Sequence, residues 1–215
     1  MQRRLDTYLG IAAGVAAPLV YAGAVIGGGW ATPGYSHLAS TISELTTPGQ
    51  PFAGQLDDVF VAYNLLLACF AAGLPSSVVA ARQNAIRAAS ILLLTLALAG
   101  VGMVTIFPVA APGTPATPTA YMHVLLAAVA SLASIASIAA VTFAFWGIPA
   151  RRVFARISLA CLVVIVASGL WAASAVAGGW PMAGLAERLT IGTFMVWLLV
   201  FALGLAADVG PKLDR

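Results

Sequence analysis

The hydropathy pattern divides the chain into six long apolar runs that are separated by short polar segments. Each run is about 20 residues or longer, which is the length an α-helix needs to cross the hydrocarbon core of a bilayer. The pattern therefore predicts an all-α integral membrane bundle of six transmembrane helices. The predicted helices cover residues 8–29, 59–80, 88–107, 120–146, 157–177 and 185–207 of a single domain that spans residues 1–215.

The first apolar run follows a basic start at Arg3 and Arg4, so a cleavable signal peptide is the competing interpretation. The apolar core of a signal peptide is about 7–15 residues long, and this run is longer. Five further runs follow it. We therefore expect a retained first helix, in which the pairs Gly10/Gly14 and Gly23/Gly27 are typical of close helix packing in membranes.

The composition supports a membrane environment. Hydrophobic residues make up 61% of the 215 residues and charged residues only 8%, whereas charged residues are about a quarter of a soluble domain. No basic segment carries interleaved aromatic residues, so we expect no nucleic-acid partner. Cys69 and Cys161 lie inside apolar runs, which predicts small buried hydrophobes rather than a disulfide framework. Membrane lipids are the expected partners, and no cofactor is expected.

The distribution of basic residues predicts the orientation. Nine of the ten lysines and arginines fall on one face of the predicted bundle, and only Arg188 falls on the other. Because translocation disfavours Lys and Arg, the nine-residue face is predicted to be cytoplasmic. Both termini are then on the cytoplasmic side of a prokaryotic plasma (inner) membrane. The nine residues are Arg3, Arg4, Arg82, Arg87, Arg151, Arg152, Arg156, Lys212 and Arg215.

The predicted outer face collects the unusual polar groups. Its first loop, residues 30–58, is the longest polar interruption of the chain. Acidic residues contribute little to membrane orientation, so their presence on this face is not explained by topology and points to a site. The polar residues concerned are His37, Glu44, Asp57, Asp58, His123, Glu187 and Arg188.

Several of these residues also have a local structural interpretation. Thr41 and Glu44 fit a capping box, which predicts a short helix at residues 40–45 lying on the outer surface, with Glu44 either structural or facing a cavity. Tyr35 lies in a Pro-Gly turn that places an aromatic ring at headgroup depth. Asp57 and Asp58 precede the second predicted helix, where its dipole favours carboxylates.

Arg188 is the sharpest single candidate. It opposes the dipole of the sixth predicted helix and lies on the face that basic residues avoid. Such a residue is expected to have a partner, and the candidates are Glu44, Asp57, Asp58 or a lipid phosphate. His123, in the first turn of the fourth predicted helix, is expected either to pair with an acidic group or to face the headgroups.

Short motifs in the chain resemble those of an uncharacterised prokaryotic family of polytopic membrane proteins, the domain of unknown function number 998. The resemblance covers most of the chain and implies a six-helical membrane protein without implying an activity. Thr46 stands where the family pattern favours glycine. The first loop is also distantly similar to eukaryotic six-span proteins of the Frag1/DRAM/Sfk1 kind, which are tied to lipid handling. The motifs are Pro33-Gly34-Tyr35-Ser36, Ile42-Ser43-Glu44-Leu45, His123 and Glu187-Arg188.

Two functional hypotheses follow. The first is a non-enzymatic membrane protein whose first loop packs over the bundle mouth, where a polar cluster binds a lipid headgroup, a protein partner or a second copy of the chain. The alternative is a metal-dependent intramembrane lipid hydrolase with His123, Glu44 and Asp57 as ligands. A small-solute carrier is disfavoured by the dry interior of the predicted bundle. The candidate binding residues are Arg188, Glu187, Glu44, His123, Ser43, Tyr35 and Asp57.

Overall fold

The computed structural model describes residues 2–78, 82–111, 114–115 and 117–209. These residues form six α-helices and two short 3₁₀ turns, Ile42–Thr46 and Pro149–Arg151, with no strand among them. All six helices are long and apolar enough to cross a membrane, which confirms the predicted all-α membrane bundle. The helices are α1 (Gln2–Ala31), α2 (Ala53–Ser77), α3 (Gln83–Thr105), α4 (Pro118–Phe145), α5 (Arg152–Gly178) and α6 (Ala183–Val209).

Helices that follow one another in the chain pack side by side, and α6 returns to pack against α1. The core between them is aromatic, with Phe70, Phe145, Trp197 and Phe201 almost completely buried. Trp197 donates its indole N–H to the hydroxyl of Ser158 at 3.0 Å, so the one polar atom of this ring is satisfied between α6 and α5.

Two helix boundaries change the interpretation of candidate residues. Helix α2 begins at Ala53, so Asp57 and Asp58 lie in its second turn and do not precede it as predicted. The helix begins early because Leu56 is buried against α1, where it contacts Gly28. Helix α4 begins at Pro118 after the N-cap Thr117, whose hydroxyl accepts the N–H of Ala120 at 3.2 Å. His123 therefore lies in the second turn of α4, not in the first.

Some predicted features lie outside the described residues. They are the end of the second predicted helix at residue 80 and the tail residues Lys212 and Arg215. Arg3 and Arg4 belong to the first turn of α1.

The bundle has two chemically different ends. The loop end carries residues 32–52 and the starts of α2, α4 and α6, and it includes Arg188. The opposite end carries the ends of those three helices, and five arginines with described side chains lie there. These are Arg82, Arg87, Arg151, Arg152 and Arg156.

The two glycine pairs of α1, Gly10/Gly14 and Gly23/Gly27, have different surroundings in the structure. A Cβ added at Gly14 would collide with the ring of Phe70, which is only 1% exposed and cannot move aside freely. A Cβ at Gly23 would meet nothing within 4 Å. A Cβ added at Gly10 would lie 3.5 Å from the Cα of Gly73 on α2. Of the two pairs, only Gly10/Gly14 therefore mediates close packing of α1 on α2.

We predict that Gly14→Ala destabilises the protein by about 1–3 kcal/mol, because it overpacks a tightly filled contact. Gly23→Ala, in the same helix, should be neutral or slightly stabilising, since alanine is the better helix former by about 1 kcal/mol. Thermal unfolding in mild detergent compares the two variants. Equal melting temperatures would show that α1 does not approach α2 as described.

Candidate functional site

The loop segment, residues 32–52, is anchored in the end of the bundle. Its 3₁₀ turn buries Ile42 and Leu45, which are 5% and 0% exposed, in a small apolar cluster with Ala24, Val25 and Phe60. The prediction of a short helix on the outer surface is therefore wrong in its placement. Two apolar side chains spaced three residues apart draw the turn into the mouth of the bundle, because their burial removes apolar surface from water.

Glu44 organises the 3₁₀ turn from within. Its Oε1 accepts the backbone N–H of Thr41 at 2.9 Å and the Thr41 hydroxyl at 3.0 Å. The predicted capping box is present, and Ser43 extends it with its Oγ 3.2 Å from the Thr41 hydroxyl. Glu44 therefore has a structural role here, since both contacts of this oxygen shape the loop.

The start of α6 and the backbone of the loop segment cap each other. The N–H groups of Gly184 and Leu185 donate to the carbonyl oxygens of Ala39 and Leu38 at 3.2 and 2.9 Å. The first N–H groups of a helix have no partner within it, so the loop supplies the missing acceptors. In return, Oε2 of Glu187 accepts the N–H of Ile42 at 2.6 Å.

Arg188 holds the same stretch of loop by its carbonyl oxygens. Its Nη1 donates to the carbonyl of Ser40 at 2.8 Å and to the carbonyl of Gly184 at 3.0 Å. Its Nη2 donates to the hydroxyl of Tyr35, and its Cζ lies 5.4 Å from the centroid of the Tyr35 ring. A planar guanidinium suits this arrangement because its donors point in fixed directions.

Tyr35 joins the loop to Arg188 as a neutral phenol. Its hydroxyl donates to the carbonyl of Thr41 at 2.9 Å. Burial raises the pKa of Tyr35 to about 12, although the nearby Arg188 guanidinium acts in the opposite direction. Tyr35 is therefore uncharged near pH 7 and contributes no negative charge to balance Arg188.

The predicted carboxylate partners do not reach Arg188. Within the described part of the chain no carboxylate oxygen lies within 4.0 Å of its guanidinium, and the ion pair found there joins Arg151 to Asp208 at the opposite end. A guanidinium has five N–H donors, of which three are engaged by the acceptors above. Its Nε is buried and has no hydrogen-bond partner. Arg188 thus has no carboxylate in direct contact, although its charge interacts with that of Glu187, and its Nε remains a donor without a partner.

His123 and Asp57 do not join this cluster. The Nδ1 of His123 lies 2.8 Å from the carbonyl oxygen of Phe107, so the ring links the start of α4 to the end of α3. The predicted pairing of His123 with an acidic group is not observed among the described residues. Asp57 is on α2, and its side chain has no hydrogen bond to another described residue.

The predicted metal ligands are also not assembled. Across the residues that the structure describes, no group of three or more His, Cys, Asp or Glu side chains is placed to hold a metal ion. Glu44 binds Thr41, and His123 binds the carbonyl of Phe107. Among the described residues, His123, Glu44 and Asp57 are therefore not grouped as a metal site.

Sequence reasoning missed the backbone groups and one glycine of the site. The acceptors and donors that Glu187 and Arg188 use are mostly main-chain atoms, which carry no signal in the side-chain pattern. Gly184 is required because a Cβ there would collide with the carbonyl oxygen of Ser40 and lie 2.9 Å from Nη1 of Arg188. The position of Gly184, four residues before Arg188, does not by itself predict this close approach to the loop backbone.

We predict that Gly184→Ala releases the loop segment and lowers stability by about 1–3 kcal/mol, because the added methyl group collides with backbone. Gly192→Ala is the matched control, since it lies in the same helix with open space around it. Thermal unfolding and thermolysin cleavage within residues 32–52 measure the two effects. Unchanged cleavage in Gly184→Ala would contradict the described docking.

Protonation of His37 should weaken the same region. The ring lies edge-on to Tyr35 at 5.4 Å, and a Cβ at Gly29 would collide with it. Burial and the positive charge of Arg188 lower the pKa of His37 below its ordinary 6.5. The unfolded chain therefore binds this proton more readily than the folded chain, so its contribution to stability falls as the pH drops below about 6.5.

We predict that His37→Gln reduces the loss of melting temperature between about pH 7.5 and about pH 5.5. The wild-type protein should lose more than the variant over this interval. An identical loss in both proteins would show that His37 carries no part of the acid sensitivity.

Comparison with known proteins identifies a family. The sequence model of a family described as a protein of unknown function (DUF998) matches residues 15–204. No curated protein and no solved structure matches the chain. Three of the motifs that resembled the family, around Tyr35, around Glu44 and at Glu187-Arg188, meet in the loop-end cluster, whereas His123 lies apart from it. The chain therefore belongs to the DUF998 family and is a multi-pass membrane protein.

Proposed function

We propose that the protein is a non-enzymatic membrane protein that binds the phosphate of an anionic lipid headgroup at its loop end, with Arg188 as the anion contact. The observation that carries the proposal is the buried Nε of Arg188, which lacks any hydrogen-bond partner. A buried donor left unsatisfied is costly, by about 1–3 kcal/mol, and more beside a charge. An anionic oxygen at Nε would remove that cost and balance the guanidinium.

The free donors of Arg188 suit a phosphate. Three N–H groups are bound to Ser40, Gly184 and Tyr35, which leaves Nε–H and one N–H of Nη2. Two neighbouring N–H groups of a planar guanidinium can hold two oxygens of one phosphate or carboxylate, which adds geometric specificity. The three internal bonds fix the direction of this edge. Because Nε is buried, the loop segment has to move for a phosphate to reach it.

The depth of Arg188 favours a lipid as the source of the phosphate. By length and composition, the part of α6 that is apolar enough to span a membrane begins at Ala183. Five residues of helix rise about 7–8 Å, which is close to the thickness of one headgroup layer. We propose that the loop end faces away from the cytoplasm of a prokaryotic cell, following the distribution of basic residues. The ligand would then belong to the outer leaflet of the plasma membrane.

The proposal is tested by native mass spectrometry of detergent-purified protein with phosphatidylglycerol and phosphatidylcholine. Arg188→Gln should weaken retention of the anionic lipid by about tenfold or more, the size expected for losing charged hydrogen bonds. Arg188→Lys should fall between, because it keeps the charge and loses the planar pair of donors. Arg156→Gln is the control, since Arg156 is exposed at the opposite end.

Arg188→Gln also removes the bonds that hold the loop, so its folding is checked by thermal unfolding without lipid. If Arg188→Gln folds and retains the anionic lipid as well as the control does, the proposal is wrong. A second outcome also overturns the lipid proposal. If the wild-type protein retains a copurifying protein in place of lipid, and Arg188→Gln loses that protein, the site belongs to a protein partner.

A further inference from the structure

We propose a second lipid site at the opposite end of the bundle, a cleft that takes one anionic phospholipid with its headgroup on Arg82 and part of an acyl chain between α4 and α5. This proposal rests on observations that are independent of Arg188. They are two adjoining cavities of contrasting chemistry and a guanidinium held at the rim of one of them.

The first cavity has polar and basic side chains in its wall beside apolar ones. It has a volume of about 390 Å³ and is lined by Arg82, Gln83, Asn84, Ala85 and Phe143. The Nη1 of Arg82 donates to the carbonyl of Phe143 at 2.6 Å, and its Cζ lies 4.1 Å from the centroid of the Phe143 ring. A carbonyl and an aromatic face therefore fix the guanidinium, as in other cation–π contacts.

The charge of Arg82 is not balanced by the cavity. None of its lining residues is acidic. Arg151, at the same end, is ion-paired with Asp208 and so has its counter-charge within the chain. Arg82 has no such pair in the described ranges, and only one of its five N–H donors is used by the contact to Phe143. The remaining donors are available for an anionic group.

The second cavity is apolar and shares a wall with the first. It has a volume of about 260 Å³ and opens between α4 and α5. Thr142 turns its hydroxyl away to the carbonyl of Ile138 at 2.7 Å. Phe143 lines both cavities and so marks their junction. The lining residues are Ala139, Thr142, Phe143, Trp146, Leu159 and Leu162.

This arrangement matches an amphipathic anion. A phosphate-bearing headgroup fits beside Arg82, and an adjacent acyl chain follows the apolar cavity past Phe143. Transfer of an acyl chain from the bilayer to the groove contributes little binding free energy, because lipid tails are as apolar as the groove. Affinity should therefore come from the headgroup contact, and the groove should add selectivity for a molecule with a tail. Basic pockets between membrane helices on the cytoplasmic side are suited to anionic headgroups.

Two variants separate the parts of the site. Arg82→Gln removes the charge, and its matched control is Arg87→Gln, which removes the same charge from an exposed position of α3 that does not line the cavity. Ala139→Phe fills the apolar cavity and leaves every charge in place. Thermal unfolding confirms that each variant is folded before it is compared.

The measurement is retention of phosphatidylglycerol against phosphatidylcholine by native mass spectrometry, with Arg188→Gln as the background so that only this site is counted. Arg82→Gln should lose about tenfold of the preference for the anionic lipid. Arg87→Gln should keep it, and Ala139→Phe should reduce retention without reversing the preference. This outcome supports the site whether or not Arg188 binds lipid.

Three results would overturn the proposal. Equal losses in Arg82→Gln and Arg87→Gln would indicate general surface charge rather than a site. No loss in folded Arg82→Gln would remove the headgroup contact. Displacement of the lipid by millimolar inorganic phosphate, together with unchanged retention in Ala139→Phe, would assign the cavity to a free anion instead of a phospholipid.

Discussion

The exchange of hydrogen bonds between the start of α6 and the loop segment is the contact on which the loop end depends. The first N–H groups of a helix have no acceptor within the helix itself. The carbonyl groups of Leu38 and Ala39 accept two of the N–H groups at the start of α6, and the Glu187 carboxylate accepts the N–H of Ile42 in the loop. The apolar side chains of Ile42 and Leu45 then have a fixed place to bury. Hydrogen bonding and burial therefore support the same loop position.

Arg188 lies at the centre of this exchange with an unusual balance of charge. A partly buried cation in a membrane protein is expensive unless it is paired or surrounded by oriented dipoles. Here the dipoles of two carbonyl groups and a neutral phenol surround it, and no carboxylate contacts it in the described residues. Such an environment positions the guanidinium without neutralising it. The same bonds that stabilise the loop thus leave a preorganised cation, which is why a structural contact can also be a binding site.

The two ends of the bundle treat arginine differently. At the opposite end Arg151 is paired with Asp208, and Arg82 is held by a carbonyl and an aromatic ring beside an open cavity. At the loop end Arg188 is enclosed by the loop segment. On the two proposals above, the cations at both ends of the bundle would contact lipid phosphates. A six-helix bundle with an almost uncharged interior is consistent with a protein that engages the membrane surfaces rather than one that moves ions through its centre.

Much of the fold could be predicted from the sequence because its causes are local. Each apolar run is long enough to cross a bilayer by itself, so six helices follow from hydropathy without knowledge of their neighbours. The Glu44 contact to Thr41 joins residues three apart and is equally local. The start of α2 was misplaced because the packing of Leu56 against α1, a tertiary contact, extends that helix past the predicted loop.

The candidate site is where tertiary structure decided the outcome. Sequence correctly singled out Arg188 as an anomaly, since dipole and orientation arguments apply to one position at a time. It could not identify the partners of Arg188, because Ser40 and Tyr35 are about 150 residues away in the chain. The groups of Ser40 and Gly184 that bind it are main-chain carbonyls, which are the same in every residue. Nor could it separate His123 from the cluster, since residues that share a membrane face need not share a helix neighbour. The sequence by itself determined six helices and one misplaced charge, whereas only the folded bundle determined which groups surround that charge.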